Sequence, residues 1–213
     1  MIQTIEKEFK NFILKQNHPC VMAQTVFKMN TYHLGIYETM RTEDTLLKLK
    51  ADLNKYLENY NHETPDFETF IACFKDDWFE DELAFETCLW ELLQHLHALD
   101  PQPWDAAVSN DVSSPEFSFS LFGNAFYVVG MHPKSSRLAR RSPYPTLVFN
   151  LHSQFEKLRD MGVYQKIKRR IRQRDKKLQG SINPMLQDFG AESEAKQYSG
   201  RHVGRSWKCP FHQ

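Results

Sequence analysis

Little in the composition of this 213-residue chain declares a partner. Net charge is lacking: 27 Lys and Arg balance 27 Asp and Glu, so the overall charge argues for neither nucleic acid nor an anionic membrane. Paired cysteines are lacking too. Cys20, Cys73, Cys88 and Cys209 stand far apart without CxxC spacing, which argues against a zinc knuckle or a disulfide framework. No run approaches the roughly 20 apolar residues of a membrane span. The first stretch, MIQTIEKEFKNFILKQ, is charged throughout and has no apolar centre of the kind a signal peptide needs. A cytoplasmic location with reduced thiols is the expectation. P-loop, GxGxxG, HExxH and GxSxG are all missing, which argues against the enzyme classes built on them. There is no internal repeat.

What is present suits one α+β domain over residues 1–213. The chain is 41% hydrophobic and 25% charged, and its sixteen phenylalanines supply a core and an apolar pocket as well. A domain of this length buries roughly 70% of its unfolded surface without covalent help. Charge is unevenly spread: residues 1–120 lean acidic and 134–178 lean strongly basic, which leaves room for a local anion site.

Periodicity predicts a helix over 3–17 (Ile5, Phe9, Phe12, Ile13) that stops at His18-Pro19. Residues 20–28 and 32–37 read as a strand hairpin around Met29-Asn30. Thr42 caps a helix whose stripe is Leu46, Leu49, Leu53, Tyr56, Leu57 and Tyr60. Residues 68–74 read as a buried strand, 80–97 as a helix, and 100–115 as a loop. The clearest hairpin is FSFSLF, a Gly123-Asn124 turn, and AFYVVG. A proline-rich basic loop follows over 133–145. Two helices are then predicted, 146–160 and the basic 163–178 ending at Gly180. The segment 181–213 holds Met185, Phe189, Tyr198, Trp207 and Phe211, too many large apolar groups for a disordered tail, and is expected to wrap back onto the core. The result is a largely antiparallel sheet of hairpins packed with several helices.

The densest polar constellation is MHPKSSRLARR, residues 131–141. His132 follows an apolar strand and has the chemistry of a metal or haem-iron ligand. Arg137, Arg140 and Arg141 suit carboxylates or phosphates. The plain alternative is a solvated basic loop beside a capped histidine. Cys209, in Trp-Lys-Cys-Pro-Phe, is a second candidate metal ligand, since thiolate donation favours O–O cleavage; its plain alternative is a packed thiol. Cys20, after His18-Pro19, has the same two readings. Cys73 and Cys88 fall on apolar faces, while His95 and His97 lie on different faces of one helix and cannot share a metal simply. His152 reads as a satisfied core histidine or a pocket-lining one. The helix KIKRRIRQRDKK has charge for phosphate backbones but no interleaved aromatics, so a solvated face is favoured over nucleic-acid binding.

Several segments together resemble the YqcI/YcgG family: His18-Pro19-Cys20-Val21, SSPEFSFS at 113–120, AFYVVGMHPKSSRLARRSPYPTLVFNLHSQFEKLR, GSINPMLQDFGAESEAKQYSGR and the terminal WKCPF. The likeness covers nearly the whole chain. It departs at His18 and Ser142, where the family commonly has Phe. Its better-understood members are haem-dependent enzymes that hydroxylate a guanidine nitrogen of arginine or an arginine-like compound, as in cycloserine and guanitoxin biosynthesis. The resemblance implies a haem b (iron) cofactor, an arginine-like substrate, dioxygen, an electron donor and no membrane. On that basis the phenylalanines of 117–128 with Leu147–Phe155 would form the haem slot. Arg137, Arg140 and Arg141 would hold the propionates. His132 or Cys209 (with Cys20 and His152 as alternatives) would be the axial ligand. Glu116, Glu192 and Glu194 are carboxylates in motif regions that could meet a guanidinium, with Glu192 and Glu194 as the catalytic candidates. A haem- or anion-binding protein without oxygenase activity is the alternative, since a retained fold does not fix function.

Overall fold

The computed structural model describes residues 2–64, 66–185, 187–204 and 206–212. In chain order, α1 (Ile2–Lys10) continues through a π-helical turn (Asn11–Lys15) to α2 (Val21–Met29), β1 (Tyr32–Tyr37) and α3 (Glu43–Asn59). Then come β2 (Thr69–Phe74), α4 (Glu82–Ala98), β3 (Phe119–Leu121) and β4 (Asn124–Met131). A 3-10 turn at Leu138–Arg140 precedes β5 (Thr146–Leu151), α5 (His152–Asp160), α6 (Tyr164–Gln179) and the short α7 (Ala195–Tyr198). The five strands lie in the order β1-β2-β5-β4-β3. β1 runs parallel to β2, and every other pairing is antiparallel. This is an α+β fold with a mostly antiparallel sheet.

Strand alternation sorts the apolar residues onto two covered faces. Phe70, Ala72 and Phe74 of β2, Phe126 and Val128 of β4, and Leu147 and Phe149 of β5 pack with α3 and α4. Ile71, Cys73, Met131 and the half-buried Val129 and Val148 turn the other way, toward Phe9, Ile13 and Phe27. Tyr198 and Phe211 from the C-terminal segment pack into the first of these clusters. Helix ends follow side-chain chemistry. Thr42 and Asp81 accept the N–H groups of Thr45 and Ala84 at the starts of α3 and α4, and Gly180 ends α6 in the left-handed region.

Three sequence expectations are corrected. Where a strand was expected over 20–28, residues 21–28 belong to helix α2 and Cys20 is its N-cap. The Cys20 sulfur accepts the Ala23 N–H, and the buried pair is the adjacent Val26 and Phe27. Asn30 (φ 55°) is its left-handed C-cap, where a hairpin turn was expected. The first half of 146–160 is β5, held between β2 and β4, so tertiary pairing overrides a helical-looking spacing. The β3–β4 turn sits one residue earlier than Gly123-Asn124. Its central residues are Phe122 (φ 53°) and Gly123 (φ 67°), the paired positive φ of a type I′ turn. Asp100 and Asp105 accept the N–H groups of Phe122 and Ala125, which holds the phenylalanine in that conformation.

Candidate functional site

A cavity of about 300 Å³ lies between α2, α5 and α6 and the sheet face that carries Thr69, Ile71, Tyr127, Val129, Met131, Val148 and Asn150. Asn183, Gln187, Asp188, Phe189, Glu194 and Gln197 line it from the C-terminal segment. Its volume falls at the lower end of the range for small-molecule sites. Most of its wall is apolar, and the polar groups concentrate in a few places.

One of these is the approach to α2. Cys20 sits at the helix N-cap with its sulfur 3.4 Å from the Ala23 N–H. Burial pushes the thiol pKa up, while the Ala23 and Met22 N–H groups and the nearby Arg140 and Arg174 favour the thiolate. His18 Nδ1 accepts the Cys20 N–H at 3.3 Å, so Nε2 carries the proton toward the Ala139 carbonyl at 3.0 Å. Burial, more than any other cause, brings this imidazole down to about 4, which keeps it neutral.

Beside them are two guanidinium groups. Arg137 ion-pairs with Asp175 at 2.5 Å and donates to the Ser181 hydroxyl and carbonyl. Arg140 is only 7% exposed, and it donates to the carbonyls of Gly130, Tyr198 and Gln197. Among the described residues no carboxylate forms an ion pair with it. Two arginines thus face the cavity with one carboxylate between them, which leaves a buried excess of positive charge.

Glu194 supplies the opposite polarity. It is 4% exposed, 2.9 Å from the Ser118 hydroxyl and 3.3 Å from that of Tyr198. Burial raises its carboxyl to about 8 against the pull of those two hydrogen bonds. Nearby, Tyr127 donates to the Gln197 side chain at 2.8 Å. His152 places Nε2 3.1 Å from Glu156, and among the described residues its buried Nδ1 has no partner. Its ring meets Phe189 edge-on, and burial lowers its pKa.

The fold therefore brings together Arg137, Arg140 and Glu194, and with them Cys20 and His152. Other expected residues lie elsewhere. His132 follows Met131 by one position, so the pleat turns it to the opposite side, where it stacks on Phe85 at 4.6 Å. Burial lowers its pKa, and among the described residues its Nε2 is unpartnered. Cys209 packs at the edge of the α3–α4 cluster, its thiol pushed to about 12 by burial. Arg141 donates to the Ser135 carbonyl and lines a separate small recess with Phe12 and Gln16. Glu192 is exposed and pairs with Lys196 on the surface, and Glu116 is exposed too. The expected aromatic slot divides: Tyr127, Val148 and Phe155 line the cavity, whereas Phe117, Phe119, Phe126 and Phe149 are fully buried in the close-packed core.

Sequence reading missed His18, Gln197 and the inner face of α6 as site residues, and held Tyr127 and Asn150 only within the slot segments 117–128 and 147–155. The local signal for His18 and Cys20 was the Pro19 between them, which ends one helix and opens the next. Tyr127 and Asn150 depend on which strand face meets the cavity, and Gln197 and α6 on how their helices pack over that face.

The YqcI/YcgG family model matches residues 9–212. A Bacillus subtilis (strain 168) protein bearing the name uncharacterized protein YqcI is 25% identical over 208 residues, which is 91% of this chain and 80% of that protein. No solved structure matches the chain. With the match running from Phe9 to His212, and so over both cavity walls and the C-terminal segment, this chain belongs to the YqcI/YcgG family.

Proposed function

We propose that the cavity houses a haem-dependent oxygenase that hydroxylates a guanidine or amine nitrogen of an arginine-like small molecule. The observation that carries this reading is one apolar cavity that combines a cysteine at a helix N-terminus, a buried guanidinium without a carboxylate, and a buried carboxyl group. The same chemistry suits a haem group. Burial keeps the Cys20 thiol protonated, and it would donate to haem iron on losing that proton; buried arginines are partners for propionates, and an apolar wall suits the ring. Cys20 would hold the iron, with the unpartnered Nδ1 of His152 as the other donor at the cavity. Arg137 and Arg140 would hold the propionates. Bound haem supplies the activation of dioxygen.

The chain's own residues account for substrate choice. Glu194 is neutral at pH 7, because burial raises its carboxyl to about 8 against the pull of Ser118, Tyr198 and the Arg159 charge. A guanidinium entering the cavity favours the ionised form and donates paired hydrogen bonds to it, with the proton leaving to solvent. Ser118 and Tyr198 fix the carboxyl group so that little ordering is required on binding. The overall reaction is an N–H group plus dioxygen, two electrons and two protons, giving N–OH and water. The two electrons come from an external carrier.

The test is product formation. Protein supplied with haem, dioxygen, a reductant and L-arginine or agmatine is expected to yield an N-hydroxylated product by mass spectrometry. Glu194→Gln is expected to reduce kcat/KM by tenfold or more. Haem uptake without product for any guanidine or amine would turn the reading to a haem-binding protein; no haem uptake would end the haem reading.

A further inference from the structure

We infer that the outer face of α6 is the docking surface for an acidic one-electron carrier protein, an inference that rests on the proposed oxygenase reading. Helix α6 has two unlike sides. Ile167, Lys168, Ile171, Arg172 and Asp175 line the cavity. Lys166, Arg169, Arg170, Lys176 and Lys177 are exposed on the other side. The helix contains one acidic residue, Asp175, which is buried and bound to Arg137. Among the described residues none of the five outer cations forms an ion pair.

Several facts distinguish this face from an ordinary solvated one. Its charge is of one sign along a helix about 24 Å long, where interspersed signs would be expected of a surface selected only for solubility. Apolar side chains stand exposed at both ends, Met161 at 61% and Ile182 at 42%. An apolar contact at each end of a one-sign strip suits a small, transient protein interface, the size class of redox encounters. It suits nucleic acid less well, because the strip offers no aromatic for base stacking. Tyr164, on this helix, is half-buried, with the Arg159 guanidinium over its ring. A carrier seated there is separated from the cavity by one helix, about 10–12 Å across.

The reaction needs two electrons for each oxygen reduced to water, and a one-electron carrier delivers them in two encounters. Fast release between encounters is favoured by weak, charge-steered docking. An acidic protein is the complement this face selects.

The test is a titration of the purified full chain with an acidic plant-type ferredoxin, followed by calorimetry at about 20 mM and about 300 mM salt. Binding is expected at low salt and at least tenfold weaker at high salt. Arg169→Glu/Arg170→Glu and Lys176→Glu/Lys177→Glu are each expected to weaken it tenfold or more. Lys55→Glu, on the exposed side of α3, is expected to leave it unchanged. Circular dichroism checks that each variant is folded. Absent binding, or binding equal in all variants, overturns the proposal. Tighter binding of duplex DNA or single-stranded RNA, lost on the same reversals, also overturns it and assigns the face to nucleic acid. Ferredoxin binding with no haem uptake sinks the oxygenase reading alone. Haem uptake with ferredoxin reduction as fast in the α6 variants as in wild type sinks the docking face alone.

Discussion

Replacing Glu194 by Gln isolates the one buried acid that, among the described residues, lines the cavity without a basic ion-pair partner. Folding raises its carboxyl from an ordinary 4.5 to about 8, chiefly by burial. Between those values the folded chain holds a proton that the unfolded chain releases. The stabilisation linked to that proton is complete below about pH 4.5 and is lost as pH rises through 8. Each pH unit in this window corresponds to about 1.4 kcal/mol, so between about pH 5.5 and 7.5 the group costs roughly 2.7 kcal/mol of stability. Gln keeps the shape and an oxygen to accept from Ser118 and Tyr198, but it cannot ionise. Urea unfolding at the two pH values is the assay. The difference in stability between Glu194→Gln and wild type is expected to grow by about 2–3 kcal/mol in favour of the variant as pH rises. Because His18, His132 and His152 are common to both proteins, their own titrations cancel in that difference. A difference that does not change with pH would refute a buried, neutral Glu194. The same argument predicts that L-arginine binding releases a proton below pH 8, measurable as a buffer-dependent binding enthalpy.

Other perturbations probe the frame around the site. A methyl group on Gly130 would meet Leu89 and the Tyr198 carbonyl at 2.7 Å, where α4 and α7 close on β4. Gly130→Val is therefore expected to cost on the order of 3 kcal/mol in urea unfolding. Asp81→Ala removes the cap of α4 and is expected to cost about 1 kcal/mol by the same measurement. Asp175→Ala strands the mostly buried Arg137 and is expected to lower stability by about 3–5 kcal/mol in denaturant titration. His132→Phe keeps the stacking on Phe85 and removes an unpartnered nitrogen. Thermal unfolding should show a stability equal to wild type or higher by about 1 kcal/mol.

The parts of the fold that were legible in the sequence are those set by local chemistry. Thr42, the alternating FSFSLF–AFYVVG pair and the Gly180 stop each act within a few residues; the two caps appear where expected, and the hairpin forms with its turn one residue earlier. Residues 20–28 and 146–151 were misread because their apolar residues fit both periods. In the first case a sulfur cap and a left-handed Asn30 decide for helix; in the second, neighbours on both sides decide for strand. The site shows the same limit. Arg137, Arg140 and Glu194 lie in family motifs and converge on one cavity. His132 is adjacent to the arginines in sequence but is turned away by the pleat of β4, one position after the cavity-facing Met131. His132 remains beside Arg140, with its backbone N–H donating to the Arg140 carbonyl at 3.0 Å, and it is the direction of its side chain that the sequence does not show.

The measurement that bears most directly on the account is the absorption spectrum of haem-reconstituted protein, oxidised and as the ferrous carbon monoxide form, for wild type, Cys20→Ala, His132→Ala and Cys209→Ala. The account predicts a thiolate-type spectrum in wild type that is unchanged in His132→Ala and Cys209→Ala and lost in Cys20→Ala. A spectrum that survives Cys20→Ala and changes only with His132→Ala or Cys209→Ala would contradict it, because the cofactor would then lie outside the cavity beneath α2 and α6.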